Sequence, residues 1–68
     1  MARMKQFNVY DIVNNKVIGK RIINTNQIIE ITGLVSNTED SLTRIKLINN
    51  DSFDVQENIN IIMEYINE

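Results

Sequence analysis

The chain has no cysteine, no histidine, no proline and no tryptophan, and only two glycines in 68 residues. Each absence removes a class of explanation. Without cysteine there are no disulfides and no thiolate metal sites. Without histidine the commonest zinc, copper and iron ligand is missing, and so is the usual general base near neutral pH. A Ser or Cys nucleophile activated in a triad needs such a base, so that chemistry is excluded. Phosphate-cradling loops need several glycines close together, and Gly19 and Gly33 stand apart. No run approaches the ~20 apolar residues that span a bilayer. Met1 to Phe7 carry Arg3 and Lys5 with no apolar stretch after them, unlike a secretory leader, so a cytoplasmic location is expected, in the host cell if the gene is viral. Met4 offers a second start, which would make Met1 to Arg3 an extension.

What the chain does have is isoleucine and asparagine, thirteen and eleven residues respectively. The branched Cβ of Ile restricts χ1 and suits a pleated surface. Asn tolerates φ > 0 and belongs in turns. Their joint excess is what an AT-rich coding sequence yields, as in many Gram-positive bacteria and their phages. The length makes a single domain, read as a flexible 1–4, a β region over 5–56 and a helix over 57–66. A chain this short buries about 60% of the surface that its unfolded form exposes. Small scaffolds therefore use a disulfide, a metal or a partner subunit, and here self-association is what remains. A homo-oligomer is expected, a dimer or larger, ahead of a monomer with an unusually Ile-rich core, and no cofactor.

The net charge of −2 is unevenly spread. Residues 1–29 hold Arg3, Lys5, Lys16, Lys20 and Arg21 against Asp11, a balance of +4, whereas residues 30–68 come to −6. One reading is a basic hairpin that meets an acidic partner, a second copy included. The plainer one is a set of solvated faces that mix in space. The negative total and the scarcity of aromatic side chains argue against nucleic acid as a partner.

Hydrophobic periodicity supplies the architecture. Phe7 to Val13 alternates, with Phe7, Val9, Asp11 and Val13 on one face, and reads as a strand. Asn14-Asn15 suits a type I′ turn, and Lys16 to Ile23 returns as a second strand. Gly19 within it suggests a bulge. Gln27 to Val35 is a middle strand with Ile29, Ile31 and Leu34 expected inward and a bulge at Gly33. A polar loop over 36–40 precedes a strand over 41–49, with Thr43, Ile45 and Leu47 inward and Arg44 and Lys46 outward. Asn50-Asp51 turns the chain into a strand over 52–56, with Phe53 and Val55 inward. Ile59, Ile62, Met63 and Ile66 then recur at helical spacing behind Asp54, Glu57 and Asn58, which suit a helix start. The fold class is α+β and mostly β: about five short antiparallel strands, as two hairpins and a middle strand, with one C-terminal helix. A bent sheet or small open barrel is expected ahead of a flat sheet.

The segment Asn24-Thr25-Asn26-Gln27-Ile28-Ile29-Glu30-Ile31, followed by Thr43-Arg44-Ile45-Lys46-Leu47, by Asn50-Asp51-Ser52-Phe53-Asp54-Val55-Gln56-Glu57 and by an Ile-rich helix, resembles the flagellar FlbD-like small proteins and related short bacterial and phage proteins. The resemblance covers residues 22–66. It implies a compact β-rich domain with a terminal helix and no enzyme activity, and its flagellar members look like motor accessory proteins. The hairpin over 5–23 is longer than that pattern and the 36–40 loop is extended, which ranks a phage or mobile-element protein ahead of a flagellar one.

The remaining polar groups are few. Asp51 and Asp54 at a turn, or Glu39-Asp40 on a loop, are spaced to hold a hard cation weakly, but serve more often as turn and cap residues. A carboxylate pair of the glycosidase type has little wall around it in so short a chain. Arg44 and Lys46 form either a small cationic patch for a phosphate or carboxylate, or a solvated strand face paired with Asp54 or Ser52. Lys20 and Arg21 admit the same choice, and on an edge strand would guard against stray pairing. Tyr10 and Tyr65 suit an interface or a half-buried rim. These six residues are the candidate contacts. The expected function is a non-catalytic binding protein of phage or mobile-element type that acts on a host protein, by β-augmentation or electrostatic docking. The alternatives are an oligomeric sequestrator that traps an anionic, nucleotide-like ligand with Arg21, Arg44 or Lys46, and a flagellar-motor accessory protein.

Overall fold

The computed structural model describes residues 3–34 and 42–68. They form five strands and a helix: β1 Met4–Asp11, β2 Lys16–Asn24, β3 Ile28–Leu34, β4 Leu42–Leu47, β5 Ser52–Val55 and α1 Ile59–Asn67, with a 3-10 turn at Thr25–Gln27. The α+β, mostly antiparallel architecture is as the periodicity implies. The loop expected over 36–40, with Glu39 and Asp40, lies outside the described residues. No described helix is long and apolar enough to cross a membrane.

The five strands form one open sheet in the order β2-β1-β5-β4-β3. Its two edges, β2 and β3, are consecutive in sequence and are joined by the 3-10 turn. That linkage fixes the curvature. Four interstrand spacings of a flat sheet separate the edges by about 19 Å. The link from Asn24 to Ile28 reaches about 14 Å even when fully extended, and about 8 Å as a 3-10 turn. The sheet therefore curls strongly, and the flat alternative is excluded. Asn24 holds the turn by accepting the Asn26 N–H at 2.9 Å.

The core lies inside the curl. Phe7, Ile23, Ile45, Leu47, Val55 and Ile62 are buried together, with Ile28, Ile31, Phe53, Tyr65 and Ile66 packed around them. Thr43, Ile45 and Leu47 face inward as their alternation requires. Three expectations need correction. Ile29 is 55% exposed, because the pairing steps from Ile28↔Leu47 to Glu30↔Lys46 and leaves Ile29 as an extra, bulged residue. The bulge is there and not at Gly33, whose pairing with Thr43 is regular. The helix is also rotated from the expected stripe: Ile62 is buried and Tyr65 and Ile66 are half-buried, while Ile59 and Met63 lie on exposed flanks. Tyr65 sets that rotation by packing edge-to-face on Phe7, with ring centroids 5.6 Å apart.

The β1–β2 and β4–β5 turns each use a single left-handed Asn. Asn15 has φ 58° and Asn50 has φ 70°. A type I′ turn at Asn14-Asn15 would need two such residues in succession. Instead the Asp11 carboxylate accepts the Val13 and Asn14 N–H groups at 2.9 and 3.2 Å, which winds residues 12–15 into a longer turn. Asn58 caps α1 by accepting the Ile61 N–H at 2.9 Å.

Candidate protein-binding surface

The first hairpin stands apart from the rest of the sheet. β1 pairs with β2 from Met4↔Asn24 to Asp11↔Lys16. Its other neighbour, β5, meets it at Val9↔Val55, and the Gln56 N–H donates to the Asn8 carbonyl at 2.8 Å. Antiparallel β5 runs from Val55 to Ser52 on the Tyr10 side of that pair without a further register pair, so the hairpin end from Ile12 to Ile18 forms an arm paired only within itself. The 38 Å long axis, against 20 and 19 Å for the others, fits that projection. The arm is apolar where a solvated arm would be polar. Ile12, Val13, Val17 and Ile18 are all exposed, and Val13 is 91% exposed. Sequence alternation places Val13 within a strand, on the same face as Phe7 and Val9. The Asp11 turn ends the strand two residues earlier and turns Val13 outward at the tip.

At the root of the arm lies a cleft of ≈ 370 Å³, lined by Asn8, Gln56, Glu57, Asn58, Ile61 and Tyr65. Glu57 is its organising residue. The Asn8 N–H donates to both oxygens of the Glu57 carboxylate, at 3.1 Å each, and Asn8 Nδ2 donates at 3.2 Å. The buried Thr43 hydroxyl donates to the Glu57 carbonyl at 2.9 Å. Glu57 thus continues the β1–β5 ladder with its side chain where β5 has ended. Its position near α1 had suggested a helix-start carboxylate. The partner, Asn8, is 49 residues away in sequence, a distance no local pattern encodes.

The six candidate contacts divide. Arg21 lies opposite Phe7 on the inward face, stacks 4.2 Å from the Phe53 ring centroid and pairs with Asp51 at 3.2 Å. Arg44 and Lys46 are on the opposite face of the sheet, across from Asp54 and Ser52. Arg44 Nε donates to Asp54 at 2.8 Å, which raises the guanidinium pKa further above its ordinary value. Arg21 therefore does not converge with Arg44 and Lys46 on one anion within a subunit. Tyr65 is a rim residue of the core, with Lys5 5.3 Å from its ring centroid. Tyr10 is at the base of the arm and donates its hydroxyl to Asn15 Oδ1 at 2.6 Å. Lys20 is exposed on β2, opposite Asn8. Among the described residues, no group of three or more carboxylates converges as metal ligands would.

The sheet edges bear on how a partner could attach. In β2 the pairing steps from Val9↔Gly19 to Tyr10↔Val17, so Ile18 is a bulge. In β3, Ile29 is a bulge and Glu30 follows it. Bulges and charged residues on edge strands twist and block the backbone ladder against another strand. Lys16 and Lys20 add the same protection to β2. The arm's contact chemistry is thus in its side chains. Sequence reasoning missed Ile12, Val13, Val17 and Ile18 as candidate contacts. The available signal was an Ile-Val pair immediately before Asn14-Asn15, where a solvated turn would carry polar residues.

The chain matches no protein-family model, no curated protein and no solved structure.

Proposed function

We propose that this protein is a non-catalytic binding module that docks the apolar arm of its first hairpin into a groove on another polypeptide. The observation that carries the reading is the exposure of Ile12, Val13, Val17 and Ile18 on one projecting hairpin, where nothing in the subunit covers them among the described residues. Apolar side chains gathered in this way mark an interaction site. A rigid two-stranded arm loses little conformational freedom on docking, which favours affinity. Lys16 and Lys20 flank the apolar groups and suit an acidic rim around the groove. The guarded edges favour side-chain docking over strand addition. The complement of such an arm is a polypeptide groove, whether on a host protein or on a second copy of the chain. Catalysis has little to draw on: the sequence holds neither His nor Cys, and the carboxylate in the cleft is engaged by Asn8.

The test is site-specific photo-crosslinking. A photoreactive residue replaces Val13, and the full chain is irradiated in an extract of the cell that produces it. A discrete crosslinked polypeptide, lost when Ile12 and Ile18 are both changed to Ser, is the expected result. An arm that crosslinks to nothing overturns the reading.

A further inference from the structure

We infer that the arm's partner is a second copy of this chain, with the arm of each subunit seated in the cleft at the arm root of the other. The inference rests on the binding reading above and names its partner. Its basis is that one chain carries both halves of a complementary pair. The first half is the arm: four exposed apolar side chains with Lys16 and Lys20 beside them. The second is the cleft and the helix flank next to it. The cleft has an apolar wall in Ile61 and Tyr65 and a carboxylate in Glu57. Glu64 lies one turn from Ile61 on the same side of α1, where i and i+3 are neighbours. Ile59 and Met63 extend the exposed apolar surface of that helix. No Lys or Arg lies on α1, and Lys5, which sits over Tyr65, is paired with Glu68 at the C-terminal end of the helix. The hairpin's Lys16 and Lys20 therefore meet the carboxylates of Glu57 and Glu64 beside apolar side chains on both parts.

Geometry favours a closed pair. The cleft lies at Asn8 and the tip at Val13, so tip and cleft are about 16 Å apart along the arm at a strand rise of ~3.3 Å per residue. When one tip covers the partner's cleft, a two-fold axis midway along the arms places the second tip over the first cleft. The same contact is then made twice, and the assembly closes at two subunits. The balance of burial points the same way. Among the described residues seven hydrophobic side chains are buried, while eleven large ones are exposed, and seven of those eleven are on the arm or the helix flank. A chain with no disulfide and a core this thin gains its missing apolar burial from a copy of itself.

The experiment is size-exclusion chromatography with light scattering on the full chain, from micromolar to millimolar concentration, for the wild type, Val13→Lys, Lys16→Glu, Glu64→Lys and the double charge exchange. The wild type is expected to elute at twice the chain mass. Val13→Lys is expected at the single-chain mass with an unchanged circular dichroism spectrum, since Val13 makes little contact within its own subunit. Each charge reversal should weaken the dimer by about tenfold or more, because each contact occurs twice, and the exchange Lys16→Glu with Glu64→Lys should restore most of it. A wild type of single-chain mass at millimolar concentration overturns the inference. So does a dimer that survives Val13→Lys, or an exchange that restores nothing. The binding reading is separable. A lone subunit whose position 13 still crosslinks to a different polypeptide ends the second-copy inference and keeps the binding reading, whereas an arm that touches nothing ends both.

Discussion

Both carboxylate oxygens of Glu57 accept the backbone N–H of Asn8, at 3.1 Å each. This pair holds the β1–β2 hairpin to the start of α1 beside a seam where β1 and β5 share the register pair Val9↔Val55. Glu57→Ala should leave the half-buried Asn8 N–H without its charged acceptor. The expected loss is about 1–3 kcal/mol. Urea denaturation measures it, and Glu57→Gln, which keeps one oxygen acceptor, should fall between the variant and the wild type. An Ala variant as stable as the wild type would mean that water replaces the carboxylate without cost.

Ile62 is fully buried and is the helix residue deepest in the core. Ile62→Ala should cost about 2–5 kcal/mol. Net stability in single-core domains of this size rarely exceeds about 3–5 kcal/mol. The variant is therefore expected to be largely unfolded at 25 °C by circular dichroism, whereas Asn60→Ala, at an exposed position of the same helix, should melt close to the wild type.

The Asp11 carboxyl is held below its ordinary pKa, first by the side-chain hydrogen bond from Asn14, then by the Asn14 and Val13 backbone N–H groups and the charge of Lys16. A depressed carboxyl contributes to folding above its unfolded pKa, and the contribution fades as pH falls through the folded value. The arm's turn should accordingly be intact at neutral pH and fray below about pH 4, the ordinary range for Asp. The Val13 and Asn14 amide resonances report this directly, and in Asp11→Asn they should lose that acid dependence.

Asn50 sits at φ 70° in the β4–β5 turn, with its N–H donating to the Leu47 carbonyl at 2.9 Å. Asn50→Ala places a Cβ in the left-handed region without the local hydrogen bonding that helps Asn there, at an expected cost of about 1 kcal/mol. Asn50→Gly should avoid that cost, and a thermal melt that ranked Ala above Gly would contradict the assignment of the turn.

The fold class was legible because the strongest strands carry clean alternation. In β4 the inward Thr43, Ile45 and Leu47 and the outward Arg44 and Lys46 stand where period two puts them, and Arg44 faces Asp54 as one of the two readings of that face had it. The Asn-rich turns marked both tight hairpins. What failed did so for identifiable reasons. A bulge reverses every face on one side of it and leaves no mark in composition, so Ile29 was read as buried and Gly33 as irregular. Helix periodicity gives a stripe but not its rotation, which here follows from the contact of Tyr65 with Phe7. The arm was read as a strand to Val13 because the hydrogen bonds that end it come from the Asp11 side chain. Glu57 and Asn8 were not connected, since nothing local ties residues so far apart.

The sheet is two locally built pieces, β1 with β2 and β3 with β4 and β5, joined where Val9 meets Val55. Each piece closes through neighbours in sequence and is cheap to assemble, whereas the joint brings distant residues together and carries few ladder bonds. The joint, which closes Phe7 and Ile23 onto Ile45, Val55 and Ile62, should therefore form last in folding. Substitutions at Val55 should then speed unfolding far more than they slow refolding, a kinetic signature that stopped-flow fluorescence of Tyr10 and Tyr65 would read out.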